Sequence, residues 1–291
     1  MATAKMPARR PRSHTAAWTV WLGLAPFFLF GLAFELLPLL TVVRSSLTSK
    51  GALTGQFYVQ ALDPIFLRAF ANSLKLSATT AGLGVVFGTL VAYAIITTKS
   101  RFLQNALTAL SDVTTNFGGA PLAFAFIVIL GSTGIITLLF KEIGISLYPG
   151  FRIYSISGLT VAYLYFQLPL MILLVIPALY GLRREWQEAA LNLGASNFRY
   201  WLEIALPMLL PALISGFLLL FANSFGAYAT AWTLTGSDVD LITIRIAALI
   251  RGEVQLAPEL ADALSIYSLL IMTACVGGYL WISNRSRSLQ R

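Results

Sequence analysis

Six apolar stretches, at about 19–43, 72–96, 117–140, 156–182, 208–233 and 264–283, run the length of this chain. Each is long enough to cross the roughly 30 Å hydrocarbon core of a bilayer as a helix. Backbone groups in lipid must pair within their own segment unless a barrel closes, and barrel strands would alternate over about ten residues. Helix is therefore the predicted state of all six. Composition points the same way: 57% of the 291 residues are apolar and 11% charged, where soluble domains carry about a quarter. The predicted fold is an all-α membrane protein with six transmembrane helices.

Charge placement predicts the orientation. Six spans put both termini on one side. The segments 1–18, 97–105, 183–207 and 284–291 hold twelve Lys and Arg against three acids. The segments 44–71, 141–155 and 234–263 hold seven of each sign. Basic loops stay cytoplasmic, so both termini are expected there. The net charge of +8 is accounted for by topology and calls for no nucleic acid. The first stretch follows Lys5, Arg9, Arg10 and Arg12, as in a signal peptide. Its apolar run is too long, however, and no cleavage site of small residues follows. It is predicted to stay as the first span, behind a disordered polar tail over 1–18.

Several chemistries are excluded. The only cysteine is Cys275, in an apolar run, and the only histidine is His14, in the polar tail. Neither a thiol–imidazole pair nor an ordinary zinc site can be built from them; no metal or cofactor is expected. The phosphate-binding pattern G-x-x-x-x-G-K-[ST] is absent from the sequence, so the chain is not expected to be an enzyme by itself. Pro26, Pro38, Pro121, Pro169, Pro177 and Pro211 punctuate the spans, and Gly82, Gly84 and Gly88 are expected to allow close helix approach.

The loop 183–207 is the most informative segment. On a helix over 185–193, Trp186, Ala189, Ala190 and Leu193 share one face, with Glu185, Glu188 and Asn192 opposite. Gly194 sits where a left-handed residue would end that helix, and Ser196 or Asn197 can cap the next. An interfacial helix lying on lipid is one reading. A small alanine face with acids opposite binds lipid poorly and suits a protein groove better.

This segment resembles the "EAA" loop of ABC importer permeases: E-A-A, three residues, G, nine residues, I, one residue, L-P. Here the pattern falls on Glu188, Ala189, Ala190, Gly194, Ile204, Leu206 and Pro207. The resemblance extends over about 68–283, implying a five-helix permease core with 19–43 as an added first helix and 19–67 as that helix plus its outer loop. Asn72-Ser73-Leu74 to Tyr93, 165–169 and 221–228 look like the polyamine, iron and aminophosphonate branch; the segment 111–121 is less proline-rich than in many relatives. The resemblance implies a loop that docks on a cytoplasmic ATP-binding subunit, a second permease subunit (identical or homologous), and an extracytoplasmic solute-binding protein. It implies no ATPase site in this chain. A polyamine is the first expectation for the solute, with ferric iron or an aminophosphonate next.

Polar residues within spans are costly and often functional. Glu35, Gln167, Asn223, Ser224 and Tyr228 are the candidate solute-pathway residues, with Ser224 and Tyr228 expected on one face of the fifth helix. Asp112 is expected at the cytoplasmic interface. Asp238, Asp240, Glu253, Glu259 and Asp262 lie in the outer loop, where they could meet a binding protein or simply be solvated. The rival function is an ion-coupled secondary transporter. Such folds often show internal repeats and paired intramembrane charges, and this sequence shows neither. An intramembrane hydrolase would need a nucleophile with a positioned base, which no span supplies.

Overall fold

The computed structural model describes residues 16–49, 51–253 and 256–289. The expected tail 1–18 lies outside the described residues as far as residue 15, and His14 with it. In chain order the elements are α1 (Ala16–Gly31), α2 (Leu37–Ser46), a short hairpin of β1 (Thr48–Ser49) and β2 (Ala52–Leu53), α3 (Gln56–Gln60) and α4 (Pro64–Thr97). There follow α5 (Arg101–Thr115), α6 (Gly119–Leu130), α7 (Ile135–Glu142), α8 (Ile156–Tyr180), α9 (Arg184–Asn192) and α10 (Asn197–Tyr200). The last are α11 (Leu206–Phe225), α12 (Tyr228–Thr235), α13 (Ile242–Arg251) and α14 (Pro258–Leu289). Six helical segments are long and apolar enough to cross a membrane: Leu24–Ser46, Pro64–Thr97, Gly119–Glu142, Ile156–Tyr180, Asn197–Phe225 and Pro258–Arg285. The six-helix expectation holds.

Two prolines leave the same local mark. α1 and α2 form one rod joined by a π-turn over Leu32–Leu36, where the Leu37 N–H reaches Leu32 O just before Pro38. A second π-turn, Trp201–Ala205, carries the Leu206 N–H to Trp201 O just before Pro207. Proline lacks an N–H and its ring crowds the carbonyl four residues back. Widening the preceding turn relieves that crowding.

α4 is the spine, with 34 residues, or about 51 Å of helix. It packs on α8 and α11, and α11 packs in turn on α14. Close approach depends on two glycines. A Cβ at Gly88 would lie 2.7 Å from Met171 Cβ, and one at Gly84 would lie 2.7 Å from Leu220 Cδ2. Gly82, expected to act with them, has open space where its Cβ would be. Buried polar bonds join the same helices: Thr80 and Ser224 hydroxyls lie 2.9 Å apart, and Gln167 Nε2 donates to Leu220 O at 2.7 Å.

Two spans depart from the expected helices. The third was expected over 117–140. The stretch Gly119–Glu142 is two helices rather than one: α6 has twelve residues, about 18 Å of helix, and the chain turns at Gly131–Gly134 before α7. α5 precedes this stretch. Its Leu107 packs with Ile95 and Leu179 at the end of the bundle that carries the 183–207 loop. Leu122 and Ala123 of α6 pack with Leu76, Leu159 and Tyr163 toward the other end. α5 and α6 are separated by the break at Asn116–Gly118, and the third span, Gly119–Glu142, lies close to its expected place.

The fifth span, expected over 208–233, ends as a helix at Phe225. Ala227, at φ −76° and ψ 77°, makes a tight turn that returns the Tyr228 N–H to Gly226 O at 2.9 Å. α12 then leaves to pack against α6 rather than α4 or α14. Ser224 and Tyr228 therefore do not share one helical face.

Candidate functional site

The loop 183–207 is a helix, a glycine turn and a second short helix. Gly194 has φ +85°. Its N–H bonds Leu191 O and the Ala195 N–H bonds Ala190 O, both at 3.0 Å. This pair of bonds satisfies the last carbonyls of α9 and requires a left-handed residue between them. Ser196 is the cap of α10, its hydroxyl accepting from the Arg199 N–H at 3.2 Å. A small core of Ala190, Tyr200 and Ala205 holds the two helices together, with Trp186 and Ile204 against it.

The expected apolar face of α9 is thereby divided. Trp186 and Ala190 turn inward, while Ala189 stays exposed and Leu193 is 88% exposed. Phe198, across the turn, is 76% exposed. Glu188 points to solvent beside Arg184, at 3.0 Å, an exposed pair of little energetic weight. Leu206 and Pro207 start α11, just after the π-turn that Pro207 requires. This end of the molecule thus presents two large exposed apolar side chains, one on each side of the Gly194 turn, with Glu188 and Glu203 each paired to an arginine.

A second site lies where two helix breaks meet, one between α5 and α6 and one between α11 and α12. Asn116, Gly118, Gly119 and Gly226–Ala229 line one cavity of about 630 Å³, together with Thr115, Asn223 and Met272. Non-helical backbone at membrane depth is tolerated where it is buried in protein or lines a cavity. The breaks are held in register: Thr230 Oγ1 accepts from the Gly119 N–H at 3.0 Å, and the Tyr163 hydroxyl donates to Ala227 O at 2.6 Å. Both α6 and α12 begin at this cavity, so the partial positive ends of two helices face it.

The structure brings together only part of the expected pathway set. Asn223 and Tyr228 both line the cavity, and the Tyr228 hydroxyl is buried without a partner. Gln167 stands behind Asn223, fully buried, accepting from Asn223 Nδ2 at 3.5 Å. Ser224 faces away, toward Thr80. Glu35 is exposed in the first π-turn, apart from the others. Asp112 is exposed on α5, with its carbonyl accepting from Asn116 Nδ2 at 3.0 Å. Of the outer-loop acids, Asp240 pairs with Arg245 at 2.6 Å, Glu253 lies 3.5 Å from Arg251, and Asp262 accepts from Ser45. Sequence reasoning missed Thr115, Asn116 and Ala229. Their signal was the glycine-bearing interruption of two apolar stretches, Asn116-Phe117-Gly118-Gly119 and Gly226-Ala227.

The chain is 29% identical over 231 residues to the ferric transport system permease protein FbpB of Actinobacillus pleuropneumoniae, covering 76% of this chain and 32% of that protein. It is 28% identical over 174 residues to a probable sulfate transport system permease protein of Prototheca wickerhamii, covering 59% and 65%. The chain thus spans about a third of the first relative and less than two thirds of the second. A bacterial ABC transporter involved in import of the acidic polysaccharide alginate has the same fold, with TM-score 0.70 at 17% identity over 95% of this chain and 98% of its own. Residues 84–288 match the family described as binding-protein-dependent transport system inner membrane component, and the chain, with its six apolar helical segments and E-A-A loop, belongs to that family.

Proposed function

We propose that this chain is the permease subunit of an ATP-driven importer, forming half of a solute path and driven through its 183–207 loop. The observation that carries this reading is Leu193 and Phe198, 88% and 76% exposed on either side of the Gly194 turn. Two large apolar side chains so exposed at a turn that also carries Arg–Glu pairs suit a protein interface. The partner that fits is a cytoplasmic ATP-binding subunit, with Ala189 and Glu188 on the contact face. A second permease subunit and a solute-binding protein complete the assembly; the same fold occurs in an alginate transporter in complex with an alginate-bound periplasmic protein. Charge asymmetry supports placing the loop and both termini in the cytoplasm. The secondary-transporter reading is set aside, because family and loop favour the importer.

The polyamine expectation gives way. The relatives described above carry the names of ferric and sulfate permeases, so the solute is proposed to be an inorganic ion of one of these kinds. The test of the importer reading is co-purification from the native membrane. Wild-type chain should bring an ATP-binding subunit with it. Glu188→Lys and Gly194→Val should lose that subunit while inserting normally, because a β-branched residue strains a φ of +85°. Equal recovery from all three would overturn the docking assignment.

A further inference from the structure

We infer that the central cavity passes an anion of the sulfate-like oxyanion class, and that Arg251 sets this preference from the cavity's edge. The inference rests on the permease reading above and names the solute class within it. It starts from a charge inventory. Thr115, Asn116, Asn223, Tyr228 and Thr230 are the polar residues that line the cavity, and no Asp, Glu, Lys or Arg is among the lining residues. A bare ferric ion is a hard cation and calls for anionic oxygen ligands. Among the described residues, no group of three or more His, Cys, Asp or Glu could hold a metal.

Two charges stand beside the lining: the exposed Asp112, whose carbonyl holds the Asn116 side chain, and a cation, Arg251. The Arg251 guanidinium lies over the Tyr228 ring at 5.6 Å and over the Trp232 ring at 5.1 Å, and the two rings stack at 6.1 Å. Tyr228 is itself a cavity wall, so a positive charge sits one aromatic ring from the lumen. Arg251 ends α13, whose Leu249 packs with Ala61 and Phe66. That end of the bundle lies opposite α9, where solute would arrive. Among the described residues, Glu253 is the acid paired with Arg251, at 3.5 Å with both side chains partly exposed, and so screens it only in part. The helix starts at Gly119 and Tyr228 add a field of the same sign. The side-chain amides of Asn116 and Asn223 line the cavity and suit oxyanion oxygens. Conduction favours such neutral donors over a fixed charge in the lumen, since a permeating ion must also leave.

The test uses the full chain in its native membrane, with chain-dependent uptake of radiolabelled sulfate and of radiolabelled ferric iron as readouts. Ala229→Asp places a carboxylate in the cavity wall at the start of α12, where an acid suits the helix; Ala229→Asn has nearly the same shape without the charge. Sulfate uptake is expected to require the chain, to fall about ten-fold or more in Ala229→Asp, and to fall much less in Ala229→Asn, so that the difference between the two variants reads the charge. It should fall in Arg251→Gln and largely return in Arg251→Lys. Chain-dependent ferric uptake that Ala229→Asp leaves intact or raises would overturn the inference. So would equal loss in the Asp and Asn variants, or chain-dependent uptake of neither ion. Co-purification of the ATP-binding subunit is measured in the same strains. Its absence from wild-type membranes would remove the permease reading instead.

Discussion

Adding one methyl group at three neighbouring glycines of α4 separates close packing from mere proximity. At Gly88 a new Cβ would lie 2.7 Å from Met171 Cβ, 2.9 Å from its Cγ and 3.2 Å from Leu168 O. Cβ and a helical carbonyl move only with their backbone, so α4 and α8 must part. Overpacking of this kind costs about 1–3 kcal/mol, with further loss of dispersion contacts along the seam. At Gly84 the obstacle is the tip of Leu220, at 2.7 Å, with Gln167 Cβ at an ordinary 3.4 Å. Leu220 can rotate away, so the cost should stay near the bottom of that range. At Gly82 nothing lies within 4 Å, and alanine gains up to about 1 kcal/mol of helix propensity. The expected order of thermal stability in mild detergent is therefore Gly82→Ala at or above wild type, then Gly84→Ala, then Gly88→Ala. A Gly88→Ala protein as stable as wild type, or three equal variants, would refute the packing of α4 on α8 described above.

Gln167→Leu should destabilise the bundle by about 1–3 kcal/mol, because it leaves Leu220 O without its 2.7 Å donor; thermal unfolding of the purified chain measures this. Tyr228→Phe removes a buried hydroxyl that has no partner, so its melting temperature should match wild type while chain-dependent uptake changes. Ser224→Ala should cost about 1 kcal/mol through the lost bond to Thr80 and leave the solute preference unchanged, since Ser224 faces away from the cavity.

The helical class, the count of six spans and the turn at Gly194 were legible in the sequence, each for a local reason. Apolar length, backbone satisfaction in lipid and a left-handed position following a helix are properties of short segments. The cavity was not legible. Hydropathy read over a window passes across Gly226 without interruption, because Phe225, Ala227 and Tyr228 are apolar or aromatic on both sides of it. α5 escaped for the opposite reason: it spends one face on α8 and shows polar residues on the other, so it does not stand out as an apolar stretch. Leu193 lay on the expected apolar stripe of α9, yet the stripe is wider than the surface that Tyr200 and Ala205 can cover. Which half of it turns inward depends on the fold of the whole loop. Gly82 and Gly88 look alike in sequence, and only the position of Met171 tells them apart.

Cross-linking at the exposed loop tests the central claim most directly. Cys275 is the only cysteine, so Cys275→Ser gives a thiol-free chain into which Leu193→Cys or Phe198→Cys can be placed. In native membranes, a short thiol-reactive cross-linker at either position is expected to capture a protein carrying the phosphate-binding pattern G-x-x-x-x-G-K-[ST]. Glu35→Cys, on the exposed face of the first span, should not capture it. A loop that labels fully with the reagent and yields no such nucleotide-binding partner would contradict the account.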